Sequence, residues 1–288
     1  MAQKSQYKRY TRSRAGNVMY FGFLLLAGAF SVLPLIYCVS TAFKPLDELL
    51  IFPPRFFVER PTFANFTVIP ILLEKLRVPF SRYLFNSIFI TIITVILQII
   101  VSSLAAFAFA KSKIRGRIVF FMIVQFSLLY NATTLAIPQY IIIANLKLID
   151  TLSVYIIPAL ASSMGVFLMK QYIDSGVPDT LLEAARIDGA SAYRMYWNII
   201  MPLIKPAWMT MLLLSFQSMW NASASAGTIF SEELKTLPSV LSSIAAGGTA
   251  RAGAGMAISV IMMIPPIVVY FITQSNVMET MSSAGMKG

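Results

Sequence analysis

Apolar residues run along this chain in long unbroken blocks, and the charged residues fall between the blocks. Stretches free of Asp, Glu, Lys and Arg cover 15–43, 83–110, 118–146, 151–169, 206–231 and 252–278. A hydrocarbon core of about 30 Å needs roughly 20 helical residues. Five blocks exceed that length and 151–169 just reaches it, so the pattern predicts six transmembrane helices, at about 18–43, 83–110, 118–140, 152–172, 207–230 and 256–274. The blocks are continuous rather than alternating, which argues against a membrane barrel. The expected fold class is all-α and integral to the membrane.

One polar island interrupts this pattern. Residues 174–206 are too many for a tight turn between spans, and Glu183 to Pro202 reads as two short helices hinged at Gly189. Pro178 suits a first helical turn and Asp179 favours a helix N-terminus. Gly189 stands where a helix ends in a left-handed residue, and Ser191 can cap the next helix. Two further polar segments are expected on the opposite side. Segment 44–82 is rich in turns and prolines, which prevent a long regular element. Segment 231–255 ends in a glycine-rich stretch, with Gly247, Gly248, Arg251 and Gly253, able to fit closely against another surface.

Composition agrees with the pattern. The chain has 288 residues, of which 12% are charged and 57% hydrophobic, against about 25% charged in a soluble domain. The formal net charge of +11 is arranged for topology rather than for nucleic acid. The basic tail 1–17 and the turn Lys111 to Arg117 flank the first three spans on one side, which the positive-inside rule places in the cytoplasm. Both termini, the tail 275–288 and the island are then cytoplasmic. The first apolar run is longer than a signal-peptide core and reads as an uncleaved span. The single cysteine, Cys38, excludes an internal disulfide and reads as a plain membrane-embedded residue.

Polar side chains within the spans are few. Gln125, Tyr130 and Asn131 in the third, and Gln217, Trp220 and Asn221 in the fifth, are candidates to line a path, with interhelical hydrogen bonding as the alternative role. A break or an extension is expected near Pro138, and the small residues ending the second span point to close packing. There is no histidine, no charge within the apolar blocks, no P-loop and no paired carboxylate spacing. No metal or cofactor is expected, and an enzyme is excluded in favour of a channel-like body whose energy arrives by contact.

These residues then become recognisable. Glu183-Ala184-Ala185, Gly189 and Ile199-x-Met201-Pro202 closely resemble the E-A-A-x3-G-x9-I-x-L-P loop of binding-protein-dependent ATP-binding-cassette importer permeases, with Met201 in place of leucine. Asn86-Ser87, Ile137-Pro138, Trp220-Asn221, Thr236-Leu237-Pro238 and the terminal Ala284 to Gly288 also look like landmarks of that family, in its carbohydrate branch and its six-span, maltose-permease-like subunit. The resemblance implies the type I importer architecture in a bacterial or archaeal cytoplasmic membrane. Its implied partners are a second homologous permease, two cytoplasmic ATP-binding subunits, an external solute-binding protein and membrane lipid. It implies that Glu183, Ala184, Ala185, Arg186, Asp188, Gly189, Ala190 and Ser191 couple to the ATPase, which hydrolyses ATP in a separate subunit. It also implies that the glycine-rich segment meets the binding protein. Many relatives follow Trp-Asn with an acidic and an aromatic residue where this chain has Ala222-Ser223, which weakens a sugar-contact role there. A polyol or glycerol phosphate cargo, and a scaffold or sensor that docks an ATPase without transport, are the alternatives.

Overall fold

The computed structural model of the chain describes residues 14–74, 76–112, 114–130, 132–223 and 227–285. Every regular element among them is helical. The chain begins with α1 (Arg14–Ala42), and α2 (Leu46–Leu49) and α3 (Ala64–Glu74) follow in the segment expected outside. The central helix α4 (Phe80–Lys111) leads to α5 (Arg117–Ser127), α6 (Ala132–Asn145), α7 (Ser153–Leu160) and α8 (Ser163–Gly176). The island holds α9 (Asp179–Ile187), α10 (Ala192–Met195), a π-helical turn (Tyr196–Ile200) and α11 (Met201–Leu203). The chain finishes with α12 (Lys205–Trp220), α13 (Leu237–Ala245) and α14 (Ala252–Gly285).

Among the described residues, four stretches are long and apolar enough to cross a membrane: Gly16–Ala42, Phe80–Lys111, Ser153–Gly176 and Ala252–Ser275. A fifth is added if Ala192–Leu203 and Lys205–Trp220, bent by 78° at Ile204, count as one. In place of a single helix over 118–140, the structure has α5 and α6, of 11 and 14 residues. Their break falls between Ser127 and Ala132 and not near Pro138. The amides of Leu128, Leu129 and Tyr130 turn to carbonyls three residues back, those of Gln125, Phe126 and Ser127, so the last turn tightens and unwinds. Pro138 lies inside α6, where it removes one helical bond without ending the helix. Pro70 is likewise inside α3, a regular element in a segment expected to lack one of that length. The helix expected over 207–230 stops at Trp220. At the other end α14 runs through most of the expected tail, to Gly285.

The helices are not equivalent. None of α1's most apolar window is buried in this chain, whereas 44% of that of α4 is, so α1 is peripheral and α4 central. Three buried clusters of the described residues hold the helices together. One joins Ile69, Trp220, Leu237 and Ile258; a second joins Met169, Leu182, Ile200 and Met211; the third joins Ile143, Val154 and Ile229. Helix α4 enters all three, through Tyr83, through Val95, Ile99 and Ala106, and through Ile90. Burying one such side chain is worth about 1.5–3 kcal/mol, and α4 repeats this along its whole length.

Candidate functional site

The island folds as the hairpin its sequence suggests. Pro178 stands in extended conformation before α9, and Asp179 occupies its first turn. At the far end Gly189 has φ 77°. Its amide donates to the Arg186 carbonyl at 3.0 Å, and the Ala190 amide donates to the Ala185 carbonyl at 2.9 Å. This pair of bonds is the Schellman termination, which needs a left-handed residue and so favours glycine. Nothing lies within 4 Å of where a Gly189 Cβ would be, so conformation and not space selects glycine there. Ser191 then caps α10, its hydroxyl accepting from the Arg194 amide at 3.3 Å.

One side of the hairpin is buried and the other is free. Leu182, Met195 and Ile200 belong to the buried cluster under α4, α8 and α12, with Ala185 and Ala190 packed against it. Glu183, Ala184, Arg186, Asp188, Gly189 and Ser191 are exposed. So are Ile187, at 87%, and Tyr193, at 74%. Those two apolar side chains carry no motif letter and went unread in the sequence. The available signal was an apolar residue on the polar side of an otherwise amphipathic turn. Glu183 and Arg186 make no ion pair with each other; they line, with Lys111, Arg117 and Asp179, a polar recess of about 220 Å³.

That recess holds the root of the hairpin. The Lys111 ammonium donates to the Val177 carbonyl at 2.7 Å and to the Asp179 carboxylate at 2.7 Å. The Lys111 side chain is 8% exposed and that of Asp179 is 77% exposed. The hydrogen bond from Lys111, and then its charge, hold the Asp179 carboxyl below its ordinary range. Arg117 ties down the adjoining turn through the carbonyls of Ala110, at 3.3 Å, and Ser112, at 2.7 Å.

The residues expected to line a path fall in different environments. Gln125, Tyr130, Gln217 and Asn221 are exposed on this chain. Asn131 lies outside the described residues. Trp220 is core: it is 2% exposed, stacks on Phe216 at 5.8 Å and donates its indole N–H to the Met262 carbonyl at 2.8 Å. A cavity of about 440 Å³ opens instead between α6 and the 227–230 stretch, lined by Gln139, Tyr140, Ile143, Thr228 and Phe230 among others. A buried polar seam was also missed. Thr91, Thr94, Gln98 and Ser102 of α4 and Ser215 of α12 are buried, each with a side-chain oxygen lacking a hydrogen-bond partner among the described residues. Their spacing of three and four along α4 was the legible signal.

The glycine-rich segment divides in two. Gly248 has φ 75°, and Gly247 faces the side chain of Arg251 in an exposed turn. Gly253 is buried in the first turn of α14, where a Cβ would sit 2.4 Å from Asn65 Oδ1 and 2.7 Å from Leu49 Cδ1. The expectation that Gly253 belongs to a contact loop is therefore corrected: it is a packing residue, because Asn65 approaches it closely while bridging the carbonyls of Ala42 and Lys44.

Residues 83–282 match the family described as binding-protein-dependent transport system inner membrane component. The chain is 28% identical to the arabinooligosaccharides transport system permease protein AraQ of Halalkalibacterium halodurans, over 98% of this chain and 100% of that protein. It is 32% identical to the sn-glycerol-3-phosphate transport system permease protein UgpE of Yersinia enterocolitica, over 68% of this chain and 70% of that one. Among solved structures it resembles a chain of a bacterial ABC transporter involved in the import of the acidic polysaccharide alginate. The TM-score is 0.77 and the identity 28%, covering 92% of this chain and 98% of the other.

Proposed function

Because this chain belongs to the family of binding-protein-dependent transport system inner membrane components, we propose that it is the permease subunit of an ATP-driven importer of a sugar or oligosaccharide. The observation that carries this reading is the hairpin 178–195, whose root is fastened to α4 while Glu183, Arg186, Ile187 and Tyr193 project from it. Such an arrangement suits a lever. The apolar tip at Ile187 enters a partner, the flanking charges orient it, and the rooted side passes displacement into the helices. A charge-assisted bond at an ionic rim chiefly adds specificity, so Ile187 is the anchor in this account.

The partners follow from the same reading: two cytoplasmic ATP-binding subunits at the hairpins, a second homologous permease completing the pathway, and an external solute-binding protein. Six spans with the N-terminus inside remain the topology we favour, with α5 and α6 together serving as the third. Gln125, Tyr130, Asn131, Gln217 and Asn221 are offered as pathway contacts and Gly247, Gly248 and Arg251 as binding-protein contacts. Saccharide cargo is supported by relatives named for arabinooligosaccharides and for alginate. A glycerol phosphate cargo is the second reading, favoured by the 32% identity to the UgpE protein.

Reconstituting the complex with its ATPase and binding protein tests both parts. Ile187→Asp should weaken co-purification of the ATPase subunits by tenfold or more, as about 1.5–3 kcal/mol of apolar burial is forfeited. Retention of the ATPase at the parent level would remove the hairpin from the coupling role. Competition of labelled-sugar uptake by sn-glycerol 3-phosphate separates the two cargoes.

A further inference from the structure

We propose that α4 is a rigid transmission rod that carries displacement of the hairpin 178–195 to the outer segment 232–237, with the Lys111–Asp179 clasp as its inner joint and Asn86 with Ser87 as its outer joint. This rests on the importer reading above and adds the route by which the lever acts.

Of the four stretches long enough to cross a membrane, Phe80–Lys111 alone contains neither proline nor glycine, the residues at which helices kink. Its 32 residues make a rod of roughly 48 Å at about 1.5 Å each, longer than a hydrocarbon core. Gly16–Ala42 carries Pro34, Ser153–Gly176 carries Pro158 and Ala252–Ser275 carries Pro265 and Pro266, so each of these has a point that can absorb motion.

Both ends of this helix are clasped by hydrogen bonds. At the inner end the Lys111 ammonium binds both the last turn beyond α8 and the first residue of α9. Two turns further in, Ser103 and Tyr196 share a hydroxyl–hydroxyl bond of 2.7 Å, tying the rod to the π-helical turn after the hairpin. At the outer end Asn86 Nδ2 donates to the carbonyls of Glu233, at 2.7 Å, and Lys235, at 3.0 Å. The Leu237 amide donates to Ser87 Oγ at 2.8 Å, and Tyr83 reaches Glu232 at 3.1 Å. Asn86-Ser87 and Thr236-Leu237-Pro238, about 150 residues apart in the chain, thus meet in space. Asn86 and Ser87 are buried, so these bonds are shielded from competing water. The segment they hold leads directly into α13 and the glycine-rich turn. A push on the hairpin therefore reaches the outer face through one unbroken helix clasped at both ends.

The test uses the reconstituted complex, with Cys38→Ser and an environment-sensitive fluorophore on Ser242→Cys, exposed on α13. In the parent, ATP shifts the fluorophore signal and the binding protein stimulates ATP hydrolysis. Asn86→Ala is expected to leave unstimulated hydrolysis within about twofold, to lower stimulation and uptake about tenfold, and to abolish the ATP-dependent shift at Ser242→Cys. Lys111→Met should remove the same shift while the ATPase still co-purifies. Should Lys111→Met fail to assemble, Asp179→Asn replaces it, since its exposed carboxylate is not needed to fill the core. Persistence of the shift in both an inner and an outer variant would overturn the rod. A parent complex with no binding-protein-stimulated hydrolysis would instead sink the importer reading.

Discussion

The two polar segments at either end of α12 look alike in composition and behave differently. The island 174–206 precedes α12 and the segment 221–251 follows it, and both interrupt apolar blocks with glycine, serine and charge. The island is organised by its own near neighbours: Pro178, Gly189 and Ser191 set the ends of its helices through bonds that span three to five residues. In the second segment, residues 233–244 are organised from far away. Leu237 is capped from Ser87, and Glu233 and Lys235 are held by Asn86. Thr236 donates to the Ala222 carbonyl at 3.0 Å, and the face of α13 bearing Leu237, Val240 and Ile244 is buried on the core. A locally specified segment can project and be grasped, whereas one specified by tertiary contacts moves with the body that holds it. A lever needs the first property and a responding surface the second.

The largest effect that sharpens this contrast is expected at Gly253. Gly253→Val should destabilise the purified protein by about 1–3 kcal/mol, the usual cost of overpacking, read as a lowered melting temperature. Gly247→Ala should be nearly silent in the same melt, because the atom its Cβ meets belongs to the exposed, flexible Arg251. Next comes Gly189→Val. Its left-handed backbone costs a β-branched residue about 1–2 kcal/mol, although space is open around it. The expected phenotype is impaired uptake with little change in melting; a large melting shift would mean that the hairpin is not locally organised. Ser191→Ala removes a cap worth about 1 kcal/mol and should raise amide exchange in α10 without affecting α13.

The smallest effect concerns protons. The Asp179 carboxyl titrates below its unfolded value because of Lys111. A depressed acid contributes stability above its unfolded pKa and loses it as pH falls through the folded one. Melting of the parent and of Asp179→Asn should therefore differ by a constant amount from pH 8 down to about pH 5, and converge below about pH 4. A difference that appeared only near neutrality would assign the effect to another group.

Legibility in the sequence followed the range of the interaction. Apolar blocks announced the membrane, because a bilayer demands about 20 apolar residues whatever they later touch. The hairpin was legible down to its turn residue, since φ preferences and capping are properties of a few adjacent positions. Position 253 was not, because its neighbour Asn65 is brought there by the fold. Nor was the role of Trp220: an indole within a span suggests a path until Met262 is seen to accept its N–H. The break between α5 and α6 carries neither proline nor glycine, so the strongest helix-ending residues gave no sign of it.

By itself, then, the amino-acid sequence determined that this is a helical membrane protein with a polar hairpin of defined start, turn and restart, because hydropathy and backbone preference act within one span or one turn. Tertiary structure alone decided which glycine packs and which is free, and which polar residues are buried. It also decided which of the long helices binds both ends of the molecule. Those depend on contacts between residues as far apart as Ser87 and Leu237, and such contacts exist only once the chain has closed on itself.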